Sequence, residues 1–385
     1  MVPLRYNLRS LLVRKVTTGA TAVGIAMVVF VFAAAQMLGE GINRALGNSG
    51  SADTVIILRN GSDAELSSGI QNDLLNLLTA QPGVAMDRGG VIGEVVIVVT
   101  SEVRGGGGVS NVLIRGMPAT GFAFRPEAKI ISGRAPAPGS NEAIVGKAIA
   151  GRFKGIAVGE SFELRRNRPL QIVGVFEAGG SSYESEVWGD LDVIRTSLGR
   201  SGAVSSARVR LSSPAQFSSF KASVEADKQL GMKVMREADY YRKQSEQTSS
   251  FLVGMGTGVA ILFAIAAMLG AAITMNGAVA NRTREIGTLR ALGFSRIGIM
   301  ISFVFEAVVL SVMGGALGIV LVMGMTLVKF PVLNFQTFSE IVISFRASPS
   351  VVISSLIFTI LMGLIGGLFP AIRASRVSPV EAMRS

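Results

Sequence analysis

The sequence predicts an α-helical membrane protein with four transmembrane helices and a large α+β extracytoplasmic domain between the first and second. Three observations carry that prediction. Four runs are almost free of charge: Thr17–Leu38, Phe251–Ala280, Ile299–Val328 (interrupted by Glu306) and Ala347–Ile372. Each exceeds the roughly 20 residues needed to cross about 30 Å of hydrocarbon. Only 16% of the 385 residues are charged and the mean hydropathy is +0.50, against about 25% charged in soluble domains. Finally, segments 1–16, 281–298 and 373–385 hold eleven basic residues against two acidic ones, a net of +9, whereas 39–250 with 329–346 nets +3. Short loops rich in arginine and lysine face the cytoplasm. Both termini are therefore expected inside, the large domain outside the cytoplasm, and the protein multi-pass in the membrane, in contact with lipid. The overall charge of +11 is then a topology signal, and no nucleic-acid partner is expected.

The chain contains neither cysteine nor histidine. Thiolate nucleophiles, imidazole bases and most transition-metal sites are excluded, and no catalytic site is expected on this polypeptide.

The elements follow in order. Segment 1–39 places Arg5, Arg9, Arg14 and Lys15 before the first span. Its apolar run of about 22 residues is longer than the 7–15 of a signal peptide core, so a retained anchor is expected. Residues 40–250 are expected to form the large extracytoplasmic domain and a stalk. Val55–Arg59, Val91–Thr100 and Val112–Ile114 have strand character, and Asp63–Leu78 has helical character, stopped by Gln81-Pro82-Gly83. Gly105–Gly108 lacks the GK[ST] ending of a phosphate loop and suits a hairpin tip. About 130–200 is dense in turns, with short strands at Ser161–Leu164 and Gln171–Phe176, and suggests a β-rich subdomain. Glu184, Glu186, Asp190 and Asp192 lack EF-hand spacing, so a solvated acidic face is expected, with Trp188 in the core. Ser212–Leu230 is expected as helix and Met232–Met235 as strand. Polar Asp239–Ser250 is expected to continue as helix into the second span.

Residues 251–385 hold the last three spans. Gly254 and Gly258 form a small-xxx-small pattern suited to close helix approach, across a dimer or within the chain. Glu306 is the one carboxylate inside a span. A charge there is costly unless paired, so an interhelix contact is expected. Between the second and third spans, 281–298 carries Arg282, Arg284, Arg290 and Arg296 against Glu285. Ile286, Leu289, Leu292 and Phe294 fall at roughly helical spacing, which predicts one short amphipathic helix over 281–298.

Several of these residues carry a family likeness. Arg284-Glu285-Ile286-Gly287, Leu289–Gly293, Glu306, and Gly314, Gly315 and Gly318 resemble the FtsX-type permease domain of ABC systems, as does the ending Pro370, Ala371, Ala374, Pro379, Ala382. Leu8-Arg9 with Gly24-Ile25 resembles the first span of MacB-like permeases. Ile131–Arg134, Glu142–Gly146 and Val173–Val175 resemble the MacB-type periplasmic core domain. The resemblance implies a mechanotransmission-type (type VII) permease. MacB carries a fused ATPase, but no Walker A motif occurs here, so the split arrangement is implied: an ABC ATPase dimer holding ATP and Mg, and two permease chains, with no cofactor on this one. It further implies that 281–298 contains the coupling helix. Arg284, Glu285, Ile286, Gly287, Leu289, Arg290 and Gly293 would meet the ATPase; Glu306, Gly314, Gly315 and Gly318 would make helix contacts. An export system with a periplasmic adaptor and outer-membrane channel is the implied function. The alternatives are a lipoprotein- or lipid-extracting permease and an FtsX-like regulator of a cell-wall hydrolase.

Overall fold

The computed structural model describes residues 15–51, 53–199 and 201–378. Arg5, Leu8, Arg9, Arg14, Pro379 and Ala382 lie outside the described residues. The chain divides into two units: Met1–Glu40, Ser250–Val328 and Ser344–Ser385 in one, Gly41–Ser249 and Lys329–Ile343 in the other.

The first unit is helical. Among the described residues, four helices are long and apolar enough to cross a membrane. They are α1 (Lys15–Gly47), α5 (Glu237–Asn281), α7 (Arg296–Met323, prolonged by a 3₁₀ turn at Gly324–Leu327) and α8 (Pro349–Ser375). The shorter α-helices among the described residues are α2 (Asn72–Thr79), α3 (Leu191–Ser197) and α4 (Phe217–Ala226), all in the second unit, and α6 (Thr283–Ala291) in the first. As expected for 239–250, the polar stretch and the second span are one helix of 45 residues.

Packing among the spans depends on glycine. A Cβ on Gly314 or Gly318 would lie 2.7 Å from the Ala22 carbonyl oxygen or 2.5 Å from that of Ala26, both on α1. One on Gly315 would lie 2.5 Å from Thr359 Cγ2 on α8. The missing side chains let the helix backbones approach, where dispersion is the main attraction available in lipid. Ser348 caps α8 through Val351 N–H, and Ser295 caps α7 through Gly298 N–H.

The second unit is built on a ten-stranded sheet. Its strands are β1 (Thr54–Arg59), β3 (Val91–Glu102), β4 (Val109–Met117), β5 (Lys129–Gly133), β6 (Glu142–Gly146), β7 (Ser161–Arg165), β8 (Arg168–Glu177), β9 (Glu186–Asp190), β11 (Ser206–Arg210) and β12 (Met232–Arg236). A two-residue pair, β2 (Ile70–Gln71) with β10 (Ala203–Val204), stands apart. The order is β12-β1-β11-β3-β4-β9-β6-β8-β5, with β7 on β8. Strand β3 joins the two halves because it is long: Val91–Glu94 pair with β11, Val95–Glu102 with β4. The glycine run closes the β3–β4 hairpin, with φ of 92°, 85° and 87° at Gly105, Gly106 and Gly108. Inward-facing Ile57, Val95, Ile114, Ile172, Val209 and Val234 supply the core.

Four expectations need correction. The stretch about 130–200 is not a separate subdomain, since β9 pairs in parallel with β4 and carries the one sheet through. Asp63–Leu78 is helical only over α2; Ser62 and Ser67 hold a preceding turn, and Ile70–Gln71 pair with β10. Helix α4 is likewise shorter than 212–230, since Ser213 caps a 3₁₀ turn at Pro214–Gln216 before it. The acidic face does not exist: Glu184 and Glu186 are buried. Glu184 accepts the amides of Ala178 and Gly180, and Glu186 faces Arg115. Asp190 caps α3, and Asp192 pairs with Arg195.

Residues 329–343, assigned from sequence to the permease portion, instead belong to the second unit. They contribute to a hairpin of β13 (Lys329–Leu333) and β14 (Glu340–Ser344). Glu340 pairs with Arg152 at 2.6 Å, Val342 N–H donates to Ser185 Oγ, and the Asn334 amide donates to Gln244.

Candidate functional site

The expected single helix over 281–298 is two helices and a turn. Helix α6 ends at Ala291 because Gly293 takes φ +93°, a conformation that costs little only without a Cβ. Gly293 N–H donates to the Arg290 carbonyl and Phe294 N–H to that of Leu289, the paired bonds of a Schellman stop. Ser295 then caps α7, so Arg296 and Gly298 belong to the span helix. Leu292 and Phe294 are off the helix, and Leu292 is 72% exposed.

Helix α6 is amphipathic over its nine residues. Ile286 and Gly287 are buried, and Leu289 and Arg290 half-buried. Ile286 packs with Met275 and Val279 of α5, Ile299, Phe303 and Ala307 of α7, and Ala371 and Ala374 of α8. The helix is thus docked against the ends of three spans. Arg284, Glu285, Thr288 and Ala291 are exposed on the opposite side. Arg290 is turned to local use: its Nη1 donates to the Phe294 carbonyl at 3.1 Å, reinforcing the stop.

The carboxylate inside the span is bound by the residue that opens this helix. Arg282 Nη1 donates to Glu306 Oε2 at 3.2 Å, with both side chains about nine-tenths buried. Arg282 occupies the N-cap position of α6, so the ion pair ties the start of the short helix to α7. Its role was missed in the sequence, although a carboxylate in an apolar span demands a donor and Arg282 is the first cation after the second span.

The remaining expected contacts divide. Gly314, Gly315 and Gly318 lie against α1 and α8 as described. Among the described residues nothing lies within 4 Å of a Cβ placed on Gly254 or Gly258. Gly256 is the glycine that faces α1, at Ala35. On the other partner helix, Gly363 and Gly367 meet Ser311 and Ala307 of α7; neither was singled out from sequence.

A second buried ionic site lies in the other unit, around Glu65, Glu94, Arg115, Arg125, Glu186, Arg208 and Glu237. The sequence signal was available: Glu94, Arg115 and Arg208 interrupt strands that are otherwise largely apolar. A charge in an inward strand position implies buried partners.

Comparison with known proteins gives the relationships. The model of the MacB-like periplasmic core domain matches residues 16–227, and that of the FtsX-like permease C-terminal domain matches 257–379. The chain is 35% identical over 140 residues to the macrolide export ATP-binding/permease protein MacB of Bdellovibrio bacteriovorus, covering 36% of this chain and 20% of that one. It is 37% identical over 135 residues to the ABC transporter permease YvrN of Bacillus subtilis, covering 35% and 31%. It is 27% identical over 237 residues to the ABC transporter permease MJ1507 of Methanocaldococcus jannaschii, covering 60% and 58%. The chain therefore spans between a fifth and three fifths of the length of these relatives.

Proposed function

This chain belongs to the FtsX-like ABC transporter permeases that carry a MacB-like periplasmic core domain, and on that premise we propose that it is the permease subunit of an ABC export system. A separate ATPase dimer binds and hydrolyses ATP. Its closure displaces α6 and the spans docked on it in each of two permease chains. The long helix α5 carries that displacement to the periplasmic domain, which moves substrate outside the membrane with an adaptor and an outer-membrane channel. In this reading the basic segments lie in the cytoplasm.

The observation that carries the proposal is the construction of α6. Its inner face, Ile286 and Gly287, is buried among three span ends, and Arg282 ties it to Glu306. Its outer face presents Arg284 and Glu285. A short helix held rigidly on one side and charged on the other suits docking into a partner's cleft, because each push on it is delivered to packed side chains.

The test is purification with bound partners, identified by mass spectrometry, comparing wild type with Glu285→Arg. An ATPase recovered with the wild type and lost with the substitution supports the coupling-helix assignment. An adaptor recovered alongside it supports export. A wild-type sample without any ATPase overturns the permease-subunit proposal.

A further inference from the structure

We propose that the buried ionic network of the second unit is the joint that fixes the first turn of α5 to the sheet, making the periplasmic domain and the upper part of that helix one body. This rests on the reading above, in which α5 delivers motion to the domain.

The network has a definite construction. Arg115, on β4, forks onto Glu186 of β9 through Nε and Nη2, both at 2.8 Å. Its Nη1 reaches Glu94 of β3 at 2.9 Å and Glu65 at 3.1 Å. Arg125 donates to Glu94 at 2.8 Å. Arg208, on β11, donates to Glu65 at 2.9 Å and lies 3.2 Å from Glu237, the first residue of α5. Each of these seven side chains is at least nine-tenths buried.

The helix enters this site with three residues. Glu237 accepts from Tyr183 Oη at 3.1 Å and from Ser51 N–H at 3.3 Å, besides facing Arg208. Tyr240 Oη accepts the Glu65 amide at 3.2 Å, and Tyr241 Oη accepts from Arg208 at 3.4 Å. The first turn of α5 thus contacts Glu65 and Tyr183 in two separate 3₁₀ turns, Arg208 on β11, and Ser51 in the connection between α1 and β1. No single strand holds it.

The chemistry explains why such a costly arrangement suits a joint. Burying seven charges in place of apolar side chains adds little net stability. What it does add is geometric definition, because a fork such as Arg115 donates to its carboxylates only in particular directions. An apolar contact can slide, whereas displacing Glu237 strips the buried Arg208 and Tyr183 side chains of a partner. Burial pushes the Glu65 and Glu94 carboxyls up, but the surrounding arginines outweigh it and hold both below the ordinary glutamate range. Glu65 and Glu94 therefore stay charged across the neutral range.

The test uses the full chain in lipid nanodiscs, without the ATPase, so that it stands apart from the partner-capture experiment. Because the sequence has no cysteine, spin labels can be placed through Arg59→Cys on β1 and Lys243→Cys on α5 with no background substitutions. The wild-type pair is expected to give one narrow distance distribution by electron paramagnetic resonance. Glu237→Gln keeps the shape and removes the charge, and the distribution is expected to widen about twofold. Should that variant not fold, Tyr240→Phe decides: it deletes one bond to the Glu65 amide and is expected to widen the distribution to a smaller degree. A distribution unchanged by the substitution that folds overturns the proposal. A wild-type sample that captures no ATPase, alongside an intact distance response, would overturn the permease reading alone.

Discussion

The two buried ionic sites invite comparison. In the span unit a single pair, Arg282 with Glu306, ties a short helix to a span. In the sheet unit, three arginines and four glutamates share bonds so that Glu65 and Glu94 each meet more than one guanidinium. Both sites are buried and both bridge elements distant in sequence. They differ in how bonds are shared. Arg282 reaches one carboxylate oxygen of Glu306. In the network Arg115 and Arg208 each serve three carboxylates, so removing either leaves several others short of a partner. Burial alone therefore does not decide what a charge contributes; the number of partners that depend on it does.

The largest effect that sharpens this contrast is expected from Arg208→Ala. Glu65, Glu94 and Glu237 all lose a partner, so unfolding of the sheet unit should become easier by about 3–5 kcal/mol. Denaturant titration followed at Trp188, the sole tryptophan, measures it. A change below about 1 kcal/mol would place the network in the class of weakly coupled pairs. Next in size is Glu306→Leu, expected to cost about 3 kcal/mol by leaving the Arg282 guanidinium without its carboxylate. Adding Arg282→Met should recover most of that loss, giving a coupling on the order of 2 kcal/mol in thermal unfolding in detergent. Failure of the second substitution to recover stability would mean the span pair is as entangled as the network.

Smaller effects probe packing and charge state. Gly318→Ala forces α7 away from the Ala26 carbonyl and should cost about 1–3 kcal/mol. Gly254→Ala meets open space and should stabilise the helix by up to about 1 kcal/mol. Equal signs for the two in a thermal-shift comparison would contradict the difference in their surroundings. With acid, the sign follows from depressed carboxyls. Glu65 and Glu94 are held below their ordinary value of 4.5 because arginine attraction exceeds the effect of burial. Half-buried Glu142 is lowered to about 2, chiefly by its hydrogen bond from Arg134. Their stabilisation is present above pH 4.5 and lost as pH falls through the depressed values. Glu127, pushed up by burial, acts oppositely and relieves a penalty on acidification. The melting temperature of the sheet unit is expected to be level from pH 8 to about 5 and to fall below about 4.5; a fall beginning above 6 would contradict it.

What the sequence by itself determined follows from local physics. A run such as Ala347–Ile372 has little choice in a bilayer, where a helix satisfies every backbone group internally. Gly105–Gly108 close a hairpin because their φ values are open to glycine. The FtsX-type motif around Arg284–Gly293 carries the family likeness within the sequence itself. Apolar spacing alone overstates the length of α6, because it runs on to Phe294 through Gly293, whose φ of +93° ends the helix. The tertiary structure decided what depends on register and distance. Glu306 finds Arg282 24 residues away, and Arg208 finds Glu65 across 143. Glu184 and Glu186 stand in an acidic cluster in sequence, yet both are buried on separate partners, the Ala178 and Gly180 amides and the Arg115 guanidinium. Residues 329–343 join the sheet unit through side-chain bonds such as that of Glu340 with Arg152. Such assignments need the order and register of a ten-stranded sheet, and no local pattern encodes which charge will meet which.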